Sequence, residues 1–78
     1  MSTELDEIKS GRIAFGNNLR KIRKGNGCSQ SDFADLCGIS RAYYGRIERG
    51  DNSATVDMCL KIAQALGKHV SELFLDMP

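Results

Sequence analysis

The sequence predicts an all-α fold, a compact bundle of five helices that includes a helix-turn-helix. Three observations lead there. Apolar residues recur at helical spacing rather than in strand-like alternation. Glycines and capping residues break the chain often, leaving connections of about two to six residues. Within the twelve residues 29–40 there is a helix start, one apolar face, a stop and a second start. With 78 residues the chain makes one domain, near the lower limit at which a single core suffices. Residues 1–10 form a leading segment and residues 11–78 the domain proper.

Taken in order, residues 1–10 are polar apart from Leu5 and Ile8, and read either as a tail or as an extension of the first helix. Over residues 11–24, Phe15, Leu19 and Ile22 fall at i, i+4 and i+7, the stripe of an amphipathic helix. Gly25, Asn26 and Gly27 end it. Ser29 then accepts a hydrogen bond from a first-turn amide, and Asp32 adds charge where the helix dipole favours it. Phe33, Ala34 and Cys37 make the apolar face of that helix, residues 29–37, and Gly38 closes it in the left-handed conformation.

Ser40 caps the next helix, residues 41–49, with Tyr44 and Ile47 turned inward and Arg41, Ala42, Tyr43, Gly45 and Arg46 outward or sideways. Two short helices joined by so tight a turn cross steeply, which leaves the outer face of the second in solvent. Gly50 ends it, and residues 51–54 are a polar loop. Thr55 caps a periodic helix containing Val56, Cys59, Leu60, Ile62, Ala63 and Leu66, closed by Gly67. Ser71 caps a last short helix holding Leu73 and Phe74, with Val70 placed as a hydrophobic staple.

A net charge of +1 conceals an uneven distribution. Residues 11–50 hold eight basic residues against Asp32, Asp35 and Glu48, whereas both ends are acidic. A basic middle is what a surface facing a polyanion needs. Cys28, Cys37 and Cys59 lie at apolar positions without zinc-site spacing, so they read as buried thiols in a reducing cytoplasm. No metal or cofactor is expected. No run of residues is apolar enough for a signal peptide or a membrane span, which predicts a cytoplasmic protein without membrane contact. His69 is the only histidine and has no flanking pair of acids, and the serines are better used as caps, so no enzyme is expected.

Between Phe15 and Phe74 a set of residues matches a known pattern: Gly16, Leu19, Arg20, Arg23 and Gly27; Ser29-Gln30 with Phe33-Ala34; Gly38-Ile39-Ser40; Ile47-Glu48 with Gly50; and Lys61-Ile62-Ala63 with Ala65-Leu66-Gly67. In these the chain resembles the phage repressor and Cro class of helix-turn-helix proteins, the XRE family, and a lambda-repressor-like fold is implied. The resemblance implies that residues 29–37 lie across a DNA backbone while residues 41–49 enter the major groove. It puts Arg41, Ala42 and Arg46 where the family reads base edges, and Tyr43 where several relatives, including restriction-modification controllers, use a tyrosine against DNA. Phosphate contacts fall to Ser29, Gln30, Ser40, Arg49, Asn52 and Ser53, with Gln30 also bracing the groove helix. Arg23 and Glu48 resemble a structural ion pair of the family.

Three positions depart from the family pattern. Tyr44 stands where Ile or Val is usual, so either the core makes room for a ring or its hydroxyl reaches the edge. Gly45 replaces a Ser, giving up a side-chain phosphate donor but letting the backbone approach phosphate closely. Ala54 replaces a Pro and leaves its loop less rigid.

The chemistry of these residues suits the role. Arginine's planar fork matches the O6 and N7 acceptors of guanine. Arg20, Lys21 and Lys24 are a charge run whose ordinary role is a solvated face, with Lys21 or Lys24 available for a phosphate. Met58, Leu60, Phe74, Leu75 and Met77 exceed what the core needs and suggest a two-fold interface, which would set two groove helices about 34 Å apart. The expected function is therefore a homodimeric, sequence-specific transcriptional regulator on a two-fold symmetric double-stranded DNA operator, with no small-molecule ligand. Controller, phage-repressor and antitoxin-like roles all fit. The alternative is a helix-turn-helix-derived protein-interaction module of antitoxin or bridging type, with weak or no specific DNA binding.

Overall fold

The computed structural model describes residues 4–75 and Met77, with the side chains of Glu4 and Leu5 left aside; positions 1–3, 76 and 78 lie outside it. Among the described residues there are four α-helices, α1 (Glu4–Gly25), α2 (Gln30–Cys37), α3 (Arg41–Arg49) and α4 (Val56–Leu66), followed by a 3-10 helix over Val70–Phe74. Helix α1 packs on α3 and on the 3-10 helix, α2 packs on α3 and α4, and α4 packs on the 3-10 helix.

Helix α1 begins at Glu4, so residues 4–10 lie within it. Ile8 and Ile13 on these early turns stay exposed, and burial starts with Phe15 and Leu19. The helix stops where the Asn26 side chain donates to the Ile22 carbonyl at 2.8 Å and the chain turns through Gly27. The three serine and threonine caps all form: the Ser29 hydroxyl accepts from the Asp32 amide, Ser40 from Tyr43, and Thr55 from Met58, each at 3.1 Å. Gly38, at a φ of 70°, lets α2 end and α3 begin with only three residues between them.

The core holds Leu19, Phe33, Tyr44, Ile47, Ile62 and Leu73 as its largest fully buried side chains. Each contributes about 1.5–3 kcal/mol of apolar burial. Phe33 and Tyr44 meet as a tilted ring pair with centroids 5.3 Å apart, so α2 and α3 accommodate an aromatic ring at position 44. Cys37 and Cys59 are buried, and burial pushes both thiols up. Cys28 is only half-buried, because it lies in the α1–α2 connection.

Two expectations from the sequence need correction. The last element is a 3-10 helix capped by His69, not an α-helix capped by Ser71. The His69 ring accepts from the Ser71 amide at 3.2 Å while the Glu72 carboxylate accepts from the His69 amide at 2.8 Å, and this reciprocal box fixes the start two residues earlier. Met58 is 2% exposed and belongs to the core with Cys59 and Ile62, so it offers no surface to a partner.

Helix α1 crosses α3 closely at Gly16. A Cβ there would meet the Glu48 carbonyl oxygen and lie 2.6 Å from that of Ile47. Backbone cannot yield as a flexible side chain would. Gly16→Ala should therefore separate α1 from α3 and lower stability by about 1–3 kcal/mol or more. Urea denaturation checks this, and an unchanged midpoint would contradict the close crossing.

Candidate nucleic-acid interface

Helix α3 has one face fixed and one face free. On the fixed face, Tyr44, Ile47 and Glu48 are buried. Ala42, Arg46 and Arg49 recur at i, i+4 and i+7 and are exposed, with Arg41 beside them at the first turn. Three cations on the outer side of so short a helix make it a site for a polyanion.

The fixed face is held by charge. Arg23 donates to both carboxylate oxygens of Glu48, through Nε at 2.9 Å and Nη2 at 2.8 Å, and through Nη1 to the Cys28 carbonyl at 2.8 Å. Gln30 Nε2 donates to the same carboxylate at 3.1 Å, joining the start of α2 to α3. Burial alone would push the Glu48 carboxyl up, but hydrogen bonds from Arg23 and Gln30, with the Arg23 charge, outweigh it and hold it below the usual range. The Tyr44 hydroxyl is buried beside this carboxylate without a well-formed hydrogen bond, and burial pushes it up.

The arginines of the free face differ in their partners. Arg41 pairs with Asp35 at 2.8 Å, and Arg49 pairs with Asp51 at 3.1 Å, both in solvent. The hydrogen bond from Arg41, with its charge, holds the Asp35 carboxyl below the usual range. The Arg46 guanidinium makes no hydrogen bond or ion pair among the described residues. Tyr43 is half-buried, and its hydroxyl donates to the Ser53 carbonyl at 3.2 Å, tying α3 to the loop before α4. Ser53 is exposed and Asn52 half-buried in that loop. Ser29 and Ser40 are exposed at the starts of α2 and α3, where their hydroxyls serve as caps.

Gly45 departs from the expected backbone contact. It is buried beneath two polar side chains, with a Cβ there falling 3.3 Å from Arg49 Nη1 and 3.7 Å from Gln30 Oε1. Gln30 and Arg49 are thus what faces solvent at this point.

Sequence reasoning passed over two parts of this surface. Asn17 and Arg20 share a polar cleft with Gln30 and Arg49 between α1, the start of α2 and the end of α3. Arg20 lies one helical turn before Arg23, and that spacing could have placed it on the same side. Asp35 meets Arg41 across a turn, six residues apart, and no periodicity signals such a pair. Away from this face, Val56 and Phe74 line one apolar groove, and Leu60 lies one turn beyond Val56 on α4; Val56 was not anticipated. Leu60, Phe74 and Leu75 are each about half exposed, and Met77 is half-buried. Phe74 uses one ring face against Phe15, with centroids 5.0 Å apart. Among the described residues no cluster of His, Cys, Asp or Glu could hold a metal ion, and no helix is long and apolar enough to cross a membrane.

Capped helices crossing at a tight turn, with cations outward over a fixed core, define a helix-turn-helix DNA-binding protein. The chain belongs to the helix-turn-helix family HTH_3 of transcriptional regulators, which it matches over residues 19–73. It is similar to the control protein C.MunI of Mycoplasma sp, with 40% identity over 85% of this chain and 90% of that one. Similarity to the control protein C.BamHI of Bacillus amyloliquefaciens is 39%, covering 80% and 78% of the two chains. Among solved structures, the restriction-modification controller protein C.AhdI of Aeromonas hydrophila superposes with a TM-score of 0.78 at 39% identity, covering 82% of this chain and 97% of that one.

The Glu48 pair makes a prediction about stability. Glu48→Gln leaves the Arg23 cation buried without its counter-charge, and should cost about 3–5 kcal/mol in urea denaturation at neutral pH. Because the folded carboxyl is depressed, its contribution is full above the ordinary carboxylate range and fades as pH falls through the folded value. The gap between wild type and Glu48→Gln should therefore narrow on acidification. A gap constant from pH 7 down to pH 3 would contradict this assignment.

Proposed function

We propose that this chain is a homodimeric, sequence-specific regulator that reads a two-fold symmetric operator with Arg41, Ala42, Tyr43 and Arg46 of α3. The observation that carries this reading is Arg46. Its guanidinium is exposed and unpartnered on the outer stripe of a helix whose inner face is fixed by a buried ion pair. A surface arginine so presented offers its fork to guanine O6 and N7. Arg41 reads alongside it, Ala42 allows close approach, and Tyr43 packs on sugar or a thymine methyl near the loop it already touches.

Ser29, Gln30, Ser40, Arg49, Asn52 and Ser53 border this face and are assigned to phosphates, with Arg20 added from the polar cleft. Arg49 must leave Asp51 to reach a phosphate. An exposed pair of this kind contributes only about 0–1 kcal/mol, so the exchange is easy.

Leu60, Phe74, Leu75 and Met77, together with Val56, supply the two-fold interface that sets the groove helices one DNA turn apart. Similarity to C.MunI, C.BamHI and C.AhdI favours a controller of a restriction-modification system, acting by occupancy of a promoter region. One observation favours the second reading, a protein-interaction module: two of the three outer arginines are already neutralised, by Asp35 and Asp51.

Binding to duplex DNA across a salt series separates the two. A regulator prefers a symmetric site, its affinity falls steeply with salt, and Arg46→Ala costs about 1–3 kcal/mol at that site but little elsewhere. An interaction module shows equal, weak binding to all duplexes, and Arg46→Ala changes nothing. For the dimer, Leu60→Asp should give a monomer by sedimentation and lose tight binding to the two-half-site operator. A Leu60→Asp protein that stays dimeric would remove α4 from the interface.

A further inference from the structure

Asp35 holds Arg41 in a particular way. Its Oδ2 accepts from Nη2 at 2.8 Å and its Oδ1 from Nε at 3.3 Å, so the carboxylate grips the guanidinium side-on. Nη1 and the second hydrogen of Nη2 are left uncommitted by this grip. Those hydrogens form the end-on fork, which is itself a bidentate match for guanine. Both side chains are in solvent, 65% and 56% exposed, so the pair is not part of the core.

A long arginine side chain on a helix surface samples many rotamers, and ordering it on DNA opposes binding. Asp35 biases Arg41 toward one of those rotamers beforehand. Its charge also repels phosphates from the one place where Arg41 would otherwise bind them indiscriminately.

We propose that Asp35 is a positioning residue for base recognition, presetting Arg41 side-on so that its end-on fork meets guanine while phosphate binding is suppressed. This rests on the reading of α3 as the groove helix. It makes the two reading arginines unlike: Arg41 is preset, whereas Arg46, unpartnered, adapts.

The test is selection from a random duplex pool with wild type, Arg41→Ala, Asp35→Asn and the double variant. Arg41→Ala should lose base preference at one position per half-site. Asp35→Asn should weaken preference at that same position about twofold to fivefold, leave other positions intact, and hold or raise affinity for unselected duplex. In the Arg41→Ala background Asp35→Asn should change no preference. The thermal midpoint should stay unchanged, since an exposed pair contributes little to stability. Full preference in Asp35→Asn, with uniformly tighter binding, would overturn the proposal by reducing Asp35 to a repelling charge. Sharpened preference would overturn it by making Asp35 a competitor of DNA for Arg41. A wild type with no preferred site defeats the regulator reading itself, a result distinct from a selective wild type matched by an equally selective Asp35→Asn.

Discussion

The Glu48 carboxylate accepts from Arg23 and from Gln30, so one buried charge holds the end of α1, the start of α2 and the end of α3 in a single register. Arg23 extends that register to the α1–α2 connection through the Cys28 carbonyl. A buried ion pair need not exceed a well-packed apolar substitute in stability. What it supplies here is direction. With Glu48 turned inward, the helical period forces Ala42, Arg46 and Arg49 outward. The missing side chain at Gly16 belongs to the same arrangement, since the carbonyls it approaches are those of Ile47 and Glu48.

Upon this fixed frame the functional surface is built from graded freedom. Arg46 is unpartnered, Arg41 is held across the turn by Asp35, and Arg49 is held by its neighbour Asp51 while covering Gly45 together with Gln30. The pairs are exposed and cheap to rearrange, in contrast to the buried pair beneath them. Rigid inside and labile outside is the order that a reading helix requires. The apolar surface at Val56, Leu60 and Phe74 belongs to other elements, α4 and the 3-10 helix, so it shares no residue with the cationic face of α3.

Much of this was legible because it is local. Ser29, Ser40 and Thr55 cap their helices through amides three residues ahead, and Gly38, Gly50 and Gly67 end them, all within reach of sequence spacing. The apolar stripe placed Phe33, Ile47 and Ile62 in the core, whereas the full burial of the Tyr44 ring against Phe33 emerged only from the packing of α2 on α3. What sequence could not supply depends on rotation or on contacts across turns. Met58 differs from the exposed Leu60 only by its angle around α4. His69 became a cap because Glu72 was in position to complete the box. Asp35 and Arg41 meet through the crossing angle of α2 and α3, and Asn17 and Arg20 reach the cleft through that of α1 and α3. Helix α1 starts at Glu4 although Ile8 and Ile13 are exposed and give no buried stripe of the kind that periodicity relies on.

Mapping backbone amide shifts during titration with a duplex tests most directly which face of the molecule meets DNA. The largest changes should fall at the first turn of α2, along residues 41–46 of α3, and at residues 52–53, with the Arg23–Glu48 contact intact. Changes centred instead on Val56, Leu60 and the 3-10 helix, with α3 unperturbed, would contradict a DNA-facing α3.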